Sequence, residues 1–194
     1  MSQDQLTVTN FIGRFFSDRT ADEYLRTTLS QHLTTKMVAR GEYLVRQGTY
    51  HRYTYFLTKG SARSFYLKDG TEVNTWFAFE EEIVGSFQTY LGKPARENIQ
   101  AMEESEVIVL DLSSIKTWAE TEVRISNFVR LVVEEYTMYL EEKLLALQMT
   151  ATERYRYLVE REPEVLRRVP LTYVASYLGI SRETLSRIRS KIVL

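Results

Sequence analysis

Arg182, Glu183, Thr184, Arg187 and Arg189 fall within eight residues, and their side chains suit one task, the reading of a nucleic-acid duplex. Guanidinium groups donate in pairs to guanine edges, a carboxylate accepts from the cytosine amino group, and a hydroxyl bonds a base or a phosphate. That task needs a rigid helix to fix the spacing. Leu185 and Ile188 supply its apolar face, and Ser181 stands where an N-cap would satisfy a free amide of the first turn. Upstream, Val174, Ala175 and Leu178 repeat helical apolar spacing. Gly179 then tolerates a left-handed backbone, Ile180 closes the turn over the apolar seam, and the small Ala175 lets two helices approach. Pro170–Lys191 therefore reads as a helix-turn-helix, with Pro170 at the first helical position and Ser181, Arg182, Glu183, Thr184, Arg187 and Arg189 as the DNA-binding set.

Other chemistries find little material. The chain has no cysteine, which removes disulfides, thiolate zinc sites and cysteine-ligated iron–sulfur clusters. Its two histidines, His32 and His51, are expected at the surface, and Glu80, Glu81 and Glu82 read as a solvated acidic turn. No nucleophile–base pair, metal-ligand cluster or glycine-rich phosphate loop stands out, so no catalytic or metal-binding residue is expected and the chain is not read as an enzyme.

The net charge of −1 conceals an asymmetry. Residues 150–194 carry nine Lys and Arg against five Asp and Glu, while residues 1–149 carry sixteen against twenty-one. Positive charge gathers beside the proposed reading helix, where phosphates would lie. With neither a membrane-spanning apolar run nor the basic and apolar blocks of a signal peptide at MSQDQLTVTN, the expected location is the cytoplasm.

Residues 10–33 show helical spacing through Phe11, Phe15, Phe16, Tyr24, Leu25, Leu29 and Leu33. From Lys36 to Leu112, short runs rich in Tyr, Phe, Val and Ile are punctuated by Gly41, Gly48, Gly60, Gly70, Gly85 and Gly92. Strands are predicted over 42–46, 53–58, 62–67, 72–78 and 107–111, with Lys68-Asp69-Gly70 turning a hairpin. A long helix over 126–149 then carries two apolar stripes. One holds Val129, Val132, Val133, Tyr136, Leu140, Leu144 and Leu147, the other Phe128, Leu131, Met138, Leu145 and Met149. One stripe can pack on its own domain, and the first is assigned to a two-fold homodimer. Thr150 or Thr152 caps the next helix, Pro163 ends it, and Leu166 and Val169 return the chain to the core. The fold class is α+β: an N-terminal antiparallel β jelly roll with flanking helices over 1–125, the central dimerisation helix over 126–149, and a helix-turn-helix domain over 150–194.

SRETLSRIR (181–189) resembles the recognition helix of the Crp/Fnr superfamily, dimeric bacterial transcription factors that include the cAMP receptor protein. LVRQG (44–48), YFLTKGSAR (55–63) and KDGTE (68–72) are similar to that family's cyclic-nucleotide-binding domain. The resemblance implies base reading by Arg182, Glu183 and Arg187, double-stranded DNA as partner and RNA polymerase as a further one. It also implies a ligand cradle at Gly85, Ser86, Arg96 and Asn98, completed from the long helix near Tyr139 and Leu140. The chain departs from the family where a Gly-Glu pair becomes Gly85-Ser86, and where Arg96 is followed by Glu97 rather than Ser. These departures argue against cAMP and leave the identity of any small-molecule effector open. No cofactor is expected. The chain has no residues after the reading helix for the two-stranded wing of many family members, which predicts weaker phosphate anchoring. The alternative function is a ligand-binding or protein-interaction module of the same fold without specific DNA binding.

Overall fold

The computed structural model describes Phe11 and residues 33–192. The expected helices over 10–33 lie outside the described residues except for Phe11, which is helical and buried, and Leu33. Eight strands follow: β1 (Thr34–Val38), β2 (Tyr43–Val45), β3 (Tyr53–Lys59), β4 (Ala62–Lys68), β5 (Thr71–Ala78), β6 (Ile83–Val84), β7 (Asn98–Ala101) and β8 (Ser105–Asp111). They form two four-stranded sheets ordered β1-β8-β3-β6 and β2-β7-β4-β5. In the first, β8 runs antiparallel to β1 and β3, with Val107 opposite Lys36 and Leu57, and β6 closes the edge through Val84 opposite Tyr55.

The five predicted strands are present, and the β4–β5 turn takes the form that Asp-Gly favours. Asp69 and Gly70 have φ of 51° and 79°, the pair of left-handed residues that a two-residue hairpin matching strand twist requires. Three further strands are not predicted from the sequence. β1 exposes Thr34, Lys36 and Met37 and so lacks apolar alternation, while β6 and β7 are too short for a periodic signal.

After the strands begin, the described residues form the helices α1 (Phe87–Tyr90), α2 (Leu112–Thr121), α3 (Val123–Ala146), α4 (Ala151–Arg161), α5 (Pro163–Arg168), α6 (Leu171–Tyr177) and α7 (Arg182–Lys191). Asp111 caps α2 by accepting from the amides of Ser113 and Ser114. α3 is the predicted long helix, shifted three residues toward the N-terminus. Thr150 and Glu153 form a reciprocal capping box at the start of α4. Pro163 opens α5 rather than only ending α4, because a proline at the first helical position loses no hydrogen bond, and Val165 fills the core position expected of Leu166. Pro170 caps α6 from outside instead of lying in its first turn.

Two compact units emerge. The described residues up to Arg63 with Ala78–Glu134 make the first, centred on Phe11, Phe56, Ile108, Leu110, Ile115, Ile125 and Phe128. Phe11 meets Phe56 and Phe128 edge-on, at centroid separations of 4.9 and 5.9 Å. Ser64–Phe77 with the chain from Glu135 makes the second.

Candidate functional site

The helix-turn-helix is built as its sequence requires. Val174, Ala175 and Leu178 are buried with Leu185 and Ile188, each large aliphatic contributing about 1.5–3 kcal/mol by leaving water. Gly179 has φ +65°, the amide of Gly179 donates to the carbonyl of Ser176 at 3.1 Å, and that of Ile180 donates to Ala175 at 3.0 Å. This is the paired hydrogen-bond pattern that ends a helix through a left-handed residue. Ser181 Oγ then caps α7 by accepting from the amide of Thr184 at 3.1 Å.

The arginines and the glutamate expected to read DNA lie on the outer surface of α7. Arg182, Ser186 and Arg189 form one exposed row at i, i+4 and i+7, and Glu183 and Arg187 form a second at i, i+4. Thr184 is half-buried and accepts from Arg187 Nη2 at 3.2 Å, which ties one arginine of the reading face to the helix cap.

The ligand-binding set divides. Gly85, Ser86, Arg96 and Asn98 belong to the first unit, Tyr139 and Leu140 to the second. Gly85 is glycine for steric reasons: a Cβ there would stand 2.3 Å from Thr54 Oγ1. Ser86 is 4% exposed, and its buried hydroxyl has no hydrogen-bond partner. An unpaired buried hydroxyl costs stability unless a ligand supplies the partner. Ser86 can hold an oxygen of a ligand, yet it brings no carboxylate for ribose hydroxyls. Arg96 is exposed, whereas Asn98 is buried and its side-chain oxygen accepts from the amide of Gln47 at 3.0 Å, a structural role between β2 and β7. His51, expected at the surface, is half-buried with its ring nitrogen 2.8 Å from Tyr55 Oη, and burial lowers its pKa.

The dimer set also divides. Val129 and Val132 pack against the core of the first unit, and Val133 is half-buried. Tyr136, Leu140, Leu144 and Leu147 are exposed. So are Leu131, Met138 and Leu145, at seven-residue intervals on the other stripe.

A group that sequence reasoning missed lies in the second unit, where a cavity of ≈ 480 Å³ is lined from β5, α3, α4 and α6. Lys143 Nζ sits 3.6 Å from the centroid of the Tyr177 ring and 3.9 Å from Glu162, whose carboxylate accepts from Tyr177 Oη at 3.0 and 3.1 Å. Burial lowers the Lys143 pKa to about 8, against the smaller opposing pull of Glu162 and Glu142, and burial raises that of Glu162. These residues are dispersed over 35 positions with no spacing motif. Among the described residues, no group of three or more His, Cys, Asp or Glu could hold a metal ion, and no helix is long and apolar enough to cross a membrane.

Residues 35–122 match the family model of the cyclic nucleotide-binding domain. No curated protein matches the chain by sequence. Among solved structures, FixK2 from Bradyrhizobium japonicum is similar over 82% of this chain and 83% of its own, with 22% identity and a TM-score of 0.70. A mutant of CooA from Carboxydothermus hydrogenoformans is similar over 84% of this chain and 78% of its own, with 17% identity and a TM-score of 0.67. The c-di-GMP responsive global regulator CLP of Xanthomonas campestris is similar over 83% of this chain and 86% of its own, with 18% identity and a TM-score of 0.61. At such identities the likeness is one of fold. Residues 35–122 are thus similar to cyclic nucleotide-binding domains, within a chain that shares the α+β fold of these solved structures.

Proposed function

We propose that the chain is a homodimeric, sequence-specific DNA-binding transcriptional regulator that works in the cytoplasm, where its duplex target is. The observation that carries this reading is the exposed double row of α7, Arg182, Ser186 and Arg189 beside Glu183 and Arg187, on a helix locked by Leu185, Ile188 and the Gly179 turn. In this reading α7 lies in the major groove, Arg182, Glu183 and Arg187 meet base edges, and Ser181, Thr184 and Arg189 anchor the backbone. Residues 150–194 are the DNA-binding domain, 126–149 the dimerisation helix and 1–125 the sensory domain.

The dimer forms through the exposed apolar residues Leu131, Met138 and Leu145 of α3, which a monomer leaves in water. The sensory domain takes a small molecule at Ser86 that is not recognised as cAMP is in this family. That the similar regulator CLP is described as responsive to c-di-GMP supports the idea that this fold accepts effectors other than cAMP. The test is duplex binding across a salt series. Counterion release makes the logarithm of the affinity fall linearly with the logarithm of salt, with a slope of about −0.9 per neutralised phosphate. Absent or salt-independent binding would favour the ligand-binding or protein-interaction alternative.

A further inference from the structure

We infer that the cavity of the C-terminal unit is a second small-molecule site, selective for a monocarboxylic acid with an apolar body. It uses none of Gly85, Ser86, Arg96 and Asn98, and ligand capture there does not depend on the DNA-binding reading; only its consequence for regulation rests on that.

The cavity's volume of ≈ 480 Å³ lies in the range of small-molecule pockets, about 300–1,000 Å³. Its walls are mainly aliphatic, with Val73, Leu140, Leu144, Ala146, Leu147 and Leu158 providing surface for a hydrocarbon chain. Four charged side chains also line it, Lys143, Arg154, Glu142 and Glu162. Three of them have partners within the unit. Lys143 and Glu162 face each other at 3.9 Å, Glu162 accepts from Tyr177, and Glu142 lies close enough to Tyr157 to add to burial in raising the pKa of its hydroxyl. Arg154 is the exception, because its Nε is buried and has no hydrogen-bond partner.

A buried guanidinium N–H without an acceptor is costly, and an anionic oxygen is the partner that relieves it most. Two carboxylates in the same wall set the limit on incoming charge, since a dianion would meet both Glu142 and Glu162 in a poorly screened space. One negative charge on an apolar body satisfies both conditions. An occupant would also touch Tyr177, Leu178 and Gly179, the end of the first helix of the helix-turn-helix and its turn, so the site borders the reading module within its own unit.

The experiment is calorimetric titration of the full chain, without DNA, using decanoate and decan-1-ol as probes. The expected result is one decanoate per chain, bound about tenfold or more tightly than the alcohol, which is the value of a charge-assisted hydrogen bond. Arg154→Gln should bring decanoate down to the alcohol's affinity, and Ala146→Phe should weaken both probes by filling the cavity. The wild-type comparison needs no variant to fold. Equal affinity of the wild type for the two probes overturns the inference, as does decanoate binding that Ala146→Phe leaves unchanged.

Discussion

The Ser176 hydroxyl accepts a hydrogen bond from the backbone amide of Asn74 at 3.0 Å and donates to the carbonyl of Glu72, also at 3.0 Å. One side chain of the first helix of the helix-turn-helix thereby grips the backbone of β5. Phe77 packs on Tyr177 at 5.2 Å between centroids, and Tyr139 Oη donates to the carbonyl of Thr75 at 2.9 Å, so strand, long helix and reading module are held at three points of one unit. Ser176→Ala should cost about 1–2 kcal/mol, the loss of two hydrogen bonds, and should speed hydrogen exchange at the Asn74 amide. Unchanged exchange at Asn74 would mean that the contact is not what orders β5.

Two glycines should fail for different reasons. Gly179 has φ +65° and open space where a Cβ would stand, so Gly179→Ala should cost about 1–2 kcal/mol from backbone strain alone. Gly85→Ala should cost about 1–3 kcal/mol by collision with Thr54, and Thr54→Ala should recover part of that loss. A double-mutant cycle read by denaturant unfolding checks both: coupling is expected between positions 85 and 54 and none between 179 and 54.

Leu131, Met138 and Leu145 form an exposed seven-residue series on α3, with Met138 and Leu145 each 61% exposed. Replacing all three with Glu should give monomers in sedimentation at concentrations where the wild type is dimeric, because like charges would meet across a two-fold seam. The same change at Leu140, Leu144 and Leu147 tests the other stripe. Dimers that survive the first triple change and not the second would place the seam on the stripe of Leu140, Leu144 and Leu147.

Lys143 should make the stability of its unit depend on alkaline pH. Its folded pKa is about 8 against an ordinary value of 10.5, so between these values the unfolded chain holds a proton that the folded one has released. Stability therefore rises with pH across that window, and the penalty for burying the charge is fully present below about pH 8. Lys143→Met should stabilise the protein at pH 7 by on the order of 1 kcal/mol, an advantage that fades toward pH 10.5 in thermal melts. A variant less stable than wild type at pH 7 would show that the contacts with Glu162 and Tyr177 outweigh burial.

What the sequence made legible follows the range of the forces involved. Ser181, Gly179 and the Thr150–Glu153 pair act on neighbouring backbone, and their residue types announce the caps and the turn before any tertiary structure is known. Strands with a clear apolar run, such as β3, could be read, whereas β1, exposed at Thr34, Lys36 and Met37, is defined only by its pairing with β8. On α3 the two stripes were visible, but periodicity alone could not tell that Val129 and Val132 would be used within the chain. The Lys143–Glu162–Tyr177 group and the buried Nε of Arg154 depend on where separate helices meet, and no local spacing encodes that.

The central claim is that the outer face of α7 reads bases. It is tested most directly by selecting bound sequences from a random duplex pool with the wild type and with Arg182→Ala and Arg187→Ala. The wild type should enrich a two-fold symmetric site with half-sites about one helical turn apart. Each variant should lose preference at its own base pair, at a cost of about 1–3 kcal/mol, while retaining salt-dependent binding to duplex. Enrichment of the same site by both variants, with preferences unchanged, would contradict the account.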